Sequence, residues 1–381
     1  MLVARCACSD RCRCHLSLIS RAAAPDFFAK HLPIGCGAAR RQSNRAAHFT
    51  SITYPDSQFG RCNGYNDADP PRSPRARAVI AWTSFDADAS PSSLVAWSSS
   101  PGVWPAGSQR SGSVSAYTNA LCANSSRVTH VAELDAAGAP GSAVYYRVSG
   151  DGGASWSPTQ RTTVVNRAFP QTVALWGDMA VQGVNAPVTS AAALAAEAAA
   201  GTYDHAFHIG DSAYNMEDDC GALGDKFLDA AQAYASAKPL VYGNGNHETG
   251  PDYKYLEFVS RLGAPQTALA AASGSPSPRY LSWSVGPVFF FSIDADAWIY
   301  PLVYELAQPQ WLWLNATLAA VDRAATPWVI GFSHRAMYCT KTTDGECNSE
   351  AQTLRYGFLE QFWGLEALLL QYSVDLIFAG Q

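Results

Sequence analysis

The chain has 381 residues, of which 48% are hydrophobic, 12% aromatic and 15% charged. This composition is typical of a globular protein with a large core and excludes extensive disorder; at about 150 residues per domain, the length predicts two folded units plus a tail. The net charge of -6 disfavours nucleic acid as a partner. No apolar run reaches the roughly 18 residues that span a bilayer, so a membrane-embedded protein is not expected.

Residues 1–50 are predicted to be an N-terminal or targeting segment. They hold eight arginines and lysines against two aspartates, as transit peptides do, but lack the continuous apolar stretch of a secretory signal. The spacing C-x-C-x3-C-x-C matches no recognised zinc site, although it brings together Cys6, Cys8, Cys12 and Cys14. A mis-assigned start or a targeting segment explains this region better than a metal cluster.

Residues 51–165 show the pattern of a small antiparallel β-sandwich. Short apolar or alternating runs are separated by Gly, Pro, Ser and Asp clusters; the runs are ARAVIAWTSF, SSLVAWSSS, RVTHVAELD and SAVYYRVSG. The aromatic residues of this region are expected to lie in its core.

Cysteines outside the N-terminal segment predict disulfides in an oxidising compartment. Cys339 and Cys347 bracket a short polar loop, and Cys62 and Cys122 lie in the same predicted domain. Asn124 and Asn315 each begin a glycosylation sequon. These features favour a secreted or vacuolar/lysosomal glycoprotein.

Residues 166–381 alternate apolar runs with helix-like stretches, which predicts a layered α/β domain. The predicted strands are TVALWG, YDHAFHIG, KPLVYGN, VFFFSIDA, TPWVIGFS and VDLIFAG. The predicted helices between them are SAAALAAEAAA, GDKFLDAAQAYA, QWLWLNATLAAVDRA and FWGLEALLLQYS.

Five of these six strands end in a polar cluster, and in open α/β sheets ligands bind outside the carboxyl ends of strands. The clusters are Gly177-Asp178, Gly210-Asp211-Ser212-Ala213-Tyr214, Gly245-Asn246-His247-Glu248, Ser333-His334 and Gly380-Gln381. A Gly-Asp pair alone is more typical of a turn or helix cap, and a lone histidine is usually structural. The ordered series Asp, Asp-x-x-Tyr, Asn-His, His favours a site for two metal ions.

The donor types differ along this series. Asp178, Asp211 and Tyr214 offer carboxylate and phenol oxygens that suit a hard cation such as ferric iron. Asn246 and His334 suit a softer divalent ion, and Asp211 in the middle of the set is the natural bridge between two metals.

Other candidates in this region are predicted to be structural. His205 and His208 stand three apart in one strand and therefore point to opposite faces of the sheet. Asp294 and Asp296 follow an apolar strand and are expected to cap a helix or to lie in a loop.

The segments GDM, GDSAY, GNHE and SHRAMYC resemble the first four of the five metal-binding blocks of the purple acid phosphatases. HIGDSAYNMEDD and HRAMYC are similar to the animal-type members, and the resemblance runs from about Arg77 to the end of the chain. It implies a fibronectin III- or Ig-like sandwich over residues 51–165. It further implies a calcineurin-like metallophosphoesterase domain with αββα layers over residues 166–381, incomplete at its C-terminus.

The resemblance also implies roles for single residues. Ferric iron would be bound by Asp178, Asp211 and Tyr214, whose phenolate gives the family its colour, and a divalent Zn2+, Mn2+ or Fe2+ by Asp211, Asn246 and His334. His247 would contact the substrate phosphate or act as general acid; the alternative is a structural histidine that orients Asn246. Metal-bound hydroxide would attack the phosphate monoester directly.

The chain departs from the family pattern at the fifth block, Gly-His-x-His, where Gln381 stands in place of the first histidine. The two histidine ligands are absent, which predicts an incomplete gene model or fragment. GDMA also lacks the glycine that usually follows the Asp-x pair. An acid phosphatase is therefore predicted for the intact product; the alternatives are a phosphodiesterase or nucleotide pyrophosphatase of the same fold, and a non-catalytic binding module.

Overall fold

The computed structural model describes residues 2–7, 13–18, 47–51, 77–85, 92–135, 139, 141–164, 170–181, 188–300, 304–340 and 343–381. The strands are β1 (Leu2–Ala7), β2 (Arg13–Leu18), β3 (Ala47–Ser51), β4 (Arg77–Ser84), β5 (Leu94–Ser98), β6 (Gln109–Ser111), β7 (Ser113–Thr118), β8 (Ser126–Asp135), β9 (Ala143–Ser149), β10 (Gln160–Thr163), β11 (Gln171–Trp176), β12 (His205–Ile209), β13 (Leu240–Gly243), β14 (Leu281–Val285), β15 (Val288–Ile293), β16 (Trp328–Ser333), β17 (Gly357–Phe358), β18 (Phe362–Trp363) and β19 (Leu376–Ala379). The α-helices are α1 (Val188–Ala200), α2 (Ala222–Ala235), α3 (Thr267–Ala272), α4 (Asp296–Ile299), α5 (Ala307–Ala319), α6 (Gly345–Tyr356) and α7 (Leu365–Gln371).

Two four-stranded antiparallel sheets form the first part of the structure, with strand orders β3-β4-β8-β7 and β10-β9-β5-β6. Their facing sides share one apolar cluster that includes Trp82, Leu134, Val95 and Tyr146. The four apolar runs predicted as strands here correspond to β4, β5, β8 and β9, so these predictions are confirmed. Alternating burial explains the detection of β9, because successive side chains in a strand face opposite sides, whereas β4 was detected as a continuous apolar run that is buried from Ala78 to Thr83.

His130 in β8 gives this part a predicted sensitivity to acid. The buried ring stacks on Trp82 with centroids 5.0 Å apart and hydrogen-bonds the hydroxyls of Ser84 and Ser93 at 2.9 and 3.0 Å. Burial lowers the pKa of His130 to about 4. The folded state therefore binds fewer protons than the unfolded state between pH 6.5 and 4, and stability present above that window is lost as pH falls through it.

Between pH 6.5 and pH 4, the free energy of unfolding should fall less in His130→Gln than in the wild type. We expect the two decreases to differ by at most about 3 kcal/mol. Urea denaturation at both pH values measures the difference. Burial also lowers the pKa values of His205 and His208, so the variant removes only part of the acid sensitivity. Equal losses in variant and wild type would contradict the prediction.

The remaining chain forms four layers. Strands β11, β12 and β13 run parallel in one sheet; in the other, β15, β16 and β19 are parallel and β14 is antiparallel at the edge. An aromatic core joins the two sheets; Phe207 lies 5.3 Å from Phe290 and 4.8 Å from Phe332 between ring centroids. Helices α1 and α2 cover the outer face of the first sheet, and α4 to α7 cover that of the second.

All six strands and all four helices predicted for residues 166–381 are present in the structure. The sequence prediction omitted β14, β17, β18, α3, α4 and α6. β14 is a short strand close to β15, and the polar sequence of α6 lacks a long apolar stripe. The other four elements span two to six residues, so all six have a weak local pattern and depend on neighbours for their stability.

One disulfide prediction is confirmed and one is corrected. Cys339 pairs with Cys347, with Cα atoms 6.0 Å apart. Cys122 pairs with Cys220, 98 residues later, so it does not pair with Cys62, which lies outside the described residues. The turn after β7 lies against the loop before α2, and this long-range contact left no signal in the local sequence.

Buried charged and polar groups accompany this disulfide. Arg261 lies 2.9 Å from Glu257 and 3.0 Å from Asp225, and Arg127 of β8 also pairs with Asp225, at 2.8 Å. Asn119 donates to the Glu257 carboxylate at 2.9 Å. The β3-β4-β8-β7 sheet of the first part is thus bound to α2 and to the segment that follows it through a disulfide and an ion-pair network.

The N-terminal cysteine cluster is only partly described. Cys8 and Cys12 lie outside the described residues, and Cys6 is opposite Cys14 in the register of the β1–β2 hairpin. Within the described ranges, every helix is too short or too polar to serve as a membrane span.

Candidate metal centre

The predicted ligands follow strand ends that meet at one edge of the facing sheets. Asp178 comes two residues after β11, Asp211 two residues after β12, and His334 directly after β16. Asn246 begins a 3-10 turn just beyond β13. Parallel strands bring their carboxyl ends to the same edge, which explains how residues so distant in sequence converge.

Two groups of donor atoms meet at this edge. The Tyr214 hydroxyl lies 3.3 Å from Asp178 Oδ1. His334 Nε2 lies 3.2 Å from both Asp211 Oδ2 and Asn246 Oδ1. With metal–ligand bonds of about 2.0–2.2 Å, ligand atoms at right angles lie roughly 3 Å apart, so these separations and donor types suit two cations.

Asp211 stands between the groups. Ligand atoms of Asp178, Asp211 and His334 all lie within 4.8 Å of one another. Burial raises the pKa of the Asp211 carboxyl, but the hydrogen bond and charge of His334 outweigh it and bring the pKa below its ordinary value. The side chain is therefore an ionised carboxylate placed to contact a cation on either side.

His334 is oriented by the main chain. Its Nδ1 lies 3.1 Å from the carbonyl oxygen of Ile209, so Nδ1–H donates there and Nε2 faces Asp211 and Asn246. Burial alone lowers the pKa of His334, but the hydrogen bond and charge of Asp211 raise it to about 9. A bound cation would replace the proton on Nε2, because metals bind the neutral imidazole.

Tyr214 and His247 lie side by side at the more open side of the site, with ring centroids 4.4 Å apart. His247 Nδ1 contacts Asn215 Oδ1 at 2.8 Å, and its Nε2 lies 3.9 Å from Asp211 Oδ2. Burial and the charges of Asp178 and Asp211 raise the pKa of Tyr214. A cation at this position would have to displace the phenolic proton.

No protein-family model matches the chain. It is 33% identical over 235 residues to a protein named acid phosphatase type 7 from Danio rerio, covering 59% of this chain and 50% of that protein. It is 26% identical over 181 residues to Fe(3+)-Zn(2+) purple acid phosphatase 12 from Arabidopsis thaliana, covering 45% and 34%. The structure of a purple acid phosphatase from yellow lupin (Lupinus luteus) seeds matches with a TM-score of 0.52 at 19% identity, over 80% of this chain and 56% of that one.

The chain is similar in sequence to proteins named acid phosphatase type 7 and purple acid phosphatase. The likeness to the lupin enzyme shows the shared fold, with its mixed sheets. The chain spans about half the length of the acid phosphatase type 7 proteins it matches.

Gly245 allows the segments that carry Asp211 and His334 to approach it closely. A Cβ atom at this position would clash with Asp211 Oδ1 and would lie 2.7 Å from the His334 ring. Gly210, at φ 104°, is similarly crowded by the backbone of residue 245 and by His334. Glycine at both positions leaves the space that the donor atoms occupy.

Sequence reasoning missed two residues in contact with the candidate ligands. The sequence predicts no role for Glu248, yet its buried carboxylate accepts hydrogen bonds from the backbone of Asp211, Ser212 and Gly245. Asn215 fixes the His247 ring through Nδ1. A turn residue next to a ligand gives no sequence signal for such roles.

The residues predicted to be structural make packing contacts and ion pairs. His205 packs against Phe290 of the second sheet, whereas His208 packs against Phe227 of α2, so the two rings face opposite sides as predicted. Asp294 pairs with Arg279, and Asp296, the first residue of α4, pairs with Arg335.

Gln381 meets the same cluster through its main chain. Its backbone N–H donates to Asp178 Oδ2 at 3.1 Å. The strand predicted before it is present as β19, in parallel register with β16. Residue 381 therefore lies at the edge where the candidate ligand residues converge.

Proposed function

We propose that the protein is an acid phosphatase that hydrolyses phosphate monoesters with a ferric ion and a divalent zinc, manganese or iron ion. One observation carries this proposal: two groups of donor atoms, Asp178 with Tyr214 and Asn246 with His334, lie on either side of the buried Asp211 carboxylate. The homology to acid phosphatases supports the same reaction.

In this proposal the ferric ion is held by Asp178, Asp211 and Tyr214, and the divalent ion by Asp211, Asn246 and His334. Phenolate and carboxylate oxygens suit the harder ion, and imidazole and amide suit the softer one. When bound, two such cations make water a nucleophile near neutral pH and offset the charge of the phosphoryl oxygens. The relative named for Fe(3+) and Zn(2+) supports this pair of metals.

His247 is proposed to contact the phosphate or to protonate the leaving alcohol. Its side chain is 30% exposed, whereas that of His334 is fully buried, so His247 can reach a substrate. The Asn215 contact at Nδ1 leaves Nε2 as the atom that faces the site. The alternative, that it only orients Asn246, is tested below.

The surroundings support a secreted or vacuolar/lysosomal protein with a fibronectin III-like N-terminal sandwich over residues 51–165 and a catalytic region over residues 166–381. The two facing sheets and their shared core suit such a sandwich. The disulfides Cys122–Cys220 and Cys339–Cys347 suit an oxidising compartment.

A visible spectrum and a phosphatase assay test the proposal together. We expect the purified full-length protein, loaded with Fe3+ and Zn2+, to hydrolyse p-nitrophenyl phosphate in mild acid and to show a phenolate-to-iron absorption band. Tyr214→Phe should lose the band, because only the phenol supplies that transition. The matched variant His247→Asn should keep the band and lower kcat by about 100-fold, the effect of losing a general acid.

Other outcomes would redirect the proposal. Faster hydrolysis of bis(p-nitrophenyl) phosphate than of the monoester would favour a phosphodiesterase. Failure to bind either metal would favour a non-catalytic binding module. A His247→Asn variant with unchanged kcat would leave His247 with the structural role alone.

A further inference from the structure

We propose that Glu248 is a positioning residue whose buried carboxylate fixes the distance between the loop that carries Asp211 and the loop that carries Asn246. Its Oε2 accepts the backbone N–H groups of Asp211 at 2.8 Å and Gly245 at 2.7 Å. Its Oε1 accepts the N–H of Ser212 at 2.7 Å. The inference rests on the proposed function, because it concerns residues assigned there to the metal centre.

The three N–H groups come from both sides of the site. Asp211 and Ser212 follow β12, whereas Gly245 follows β13 and directly precedes Asn246. One rigid carboxylate therefore links the proposed bridging ligand to a proposed ligand of the divalent ion. The backbone N–H of His247 also donates to Asp211 Oδ1, at 3.1 Å. This is a second hydrogen-bonded link between the loop after β13 and Asp211.

Glu248 acts through other residues and not as a ligand itself. Both of its oxygens are occupied by backbone donors, and the residue is 3% exposed. Throughout the described ranges, no lysine or arginine forms an ion pair with it. The surrounding N–H groups, and not a cation, satisfy the carboxylate.

The geometry requires the acceptor chemistry of a carboxylate. The three N–H groups approach both side-chain oxygens, so both atoms must be hydrogen-bond acceptors. A glutamine has only one such oxygen and would turn its NH2 donor toward one of the loops. A buried donor that faces another donor is left unsatisfied, which is unfavourable enough to move the loop. An aspartate keeps the acceptors but is one methylene shorter, so it cannot reach both loops at these distances.

Glu248→Gln tests the inference, with Glu257→Gln as a matched control. Glu257 is also a buried carboxylate, but it pairs with Arg261 and accepts hydrogen bonds from Tyr117 and Asn119, none of which belongs to the loops of Asp211 and Asn246. We expect Glu248→Gln to weaken Zn2+ binding by about 10- to 100-fold, measured by chelator competition, as for lost contacts to metal ligands. Glu257→Gln should leave Zn2+ affinity unchanged, and Glu248→Asp should not restore it.

Amide hydrogen exchange of the metal-free protein provides a second readout. We expect exchange at Asp211 and Ser212 to accelerate in Glu248→Gln and to remain unchanged in Glu257→Gln. If the wild type binds neither ion, the proposed function fails while this exchange result still decides whether Glu248 fixes the loops. The inference would be overturned if Glu248→Gln had the same amide exchange rates and the same Zn2+ affinity as the wild type. It would also be overturned if Glu248→Gln could not fold, because the inference gives Glu248 a role in positioning the loops and none in stabilising the sheets.

Discussion

Asp211→Asn is expected to lower kcat/KM for a phosphate monoester by at least about 1000-fold, the equivalent of the several kcal/mol that cations contribute to phosphoryl transfer. Asp211 is the carboxylate between the two donor groups, within 4.8 Å of ligand atoms of Asp178 and His334. A neutral amide removes its charge from both proposed ions at once. Bound iron and zinc, measured by atomic emission after gel filtration, should fall with the activity.

Asp204→Asn is the control for this experiment. Asp204 precedes the same strand, β12, and its carboxylate accepts a hydrogen bond at 2.7 Å from the backbone N–H of Thr172 in the neighbouring strand β11. We expect wild-type metal content and activity in this variant. Asp211→Asn with full metal content and activity within tenfold of the wild type would contradict the bridging role.

Arg261→Met is expected to lower the free energy of unfolding by about 3–5 kcal/mol, as when one partner of a buried ion pair is removed. The Arg261 side chain is fully buried against Glu257 and Asp225, at 2.9 and 3.0 Å. Methionine fills much of the space but leaves Glu257 buried without its cation. Urea denaturation followed by tryptophan fluorescence measures the change.

An exposed pair provides the comparison for Arg261. Arg323 pairs with Asp375 at 3.0 Å near the surface, so Arg323→Met should change stability by less than about 1 kcal/mol. Arg261→Met combined with Glu257→Gln should be less destabilising than the sum of the two single effects, because the residues are in contact. If Arg261→Met lowered the free energy of unfolding by less than about 1 kcal/mol, the buried pair would not stabilise the fold as predicted.

Much of the α/β part could be predicted because its strands are buried on both faces. Segments such as VFFFSIDA and TPWVIGFS are continuous apolar runs, and the polar residue after each run marks the sheet edge. Asp211, Asn246 and His334 could therefore be assigned to one site before any geometry was known. Their separations of 3.2 Å depend on strand register, which the apolar pattern does not specify.

Contacts between distant segments could not be predicted from local patterns. Cys122 was expected to pair within its own sheets, but its partner is Cys220, on a loop reached only after the second part folds against the first. Glu248 likewise follows Asn246 and His247 without any periodicity that would indicate a buried side chain. The domain boundaries and the metal ligands remain predictions for the experiments above.

The crosslink between Cys122 and Cys220 also limits how far two distant segments of the chain can move apart. Its Cα atoms are 5.2 Å apart, and Cys220 lies six residues beyond Tyr214. Because the crosslink joins the turn after β7 to the loop before α2, these two segments stay together while the disulfide is intact, even if the hydrogen bonds around them break.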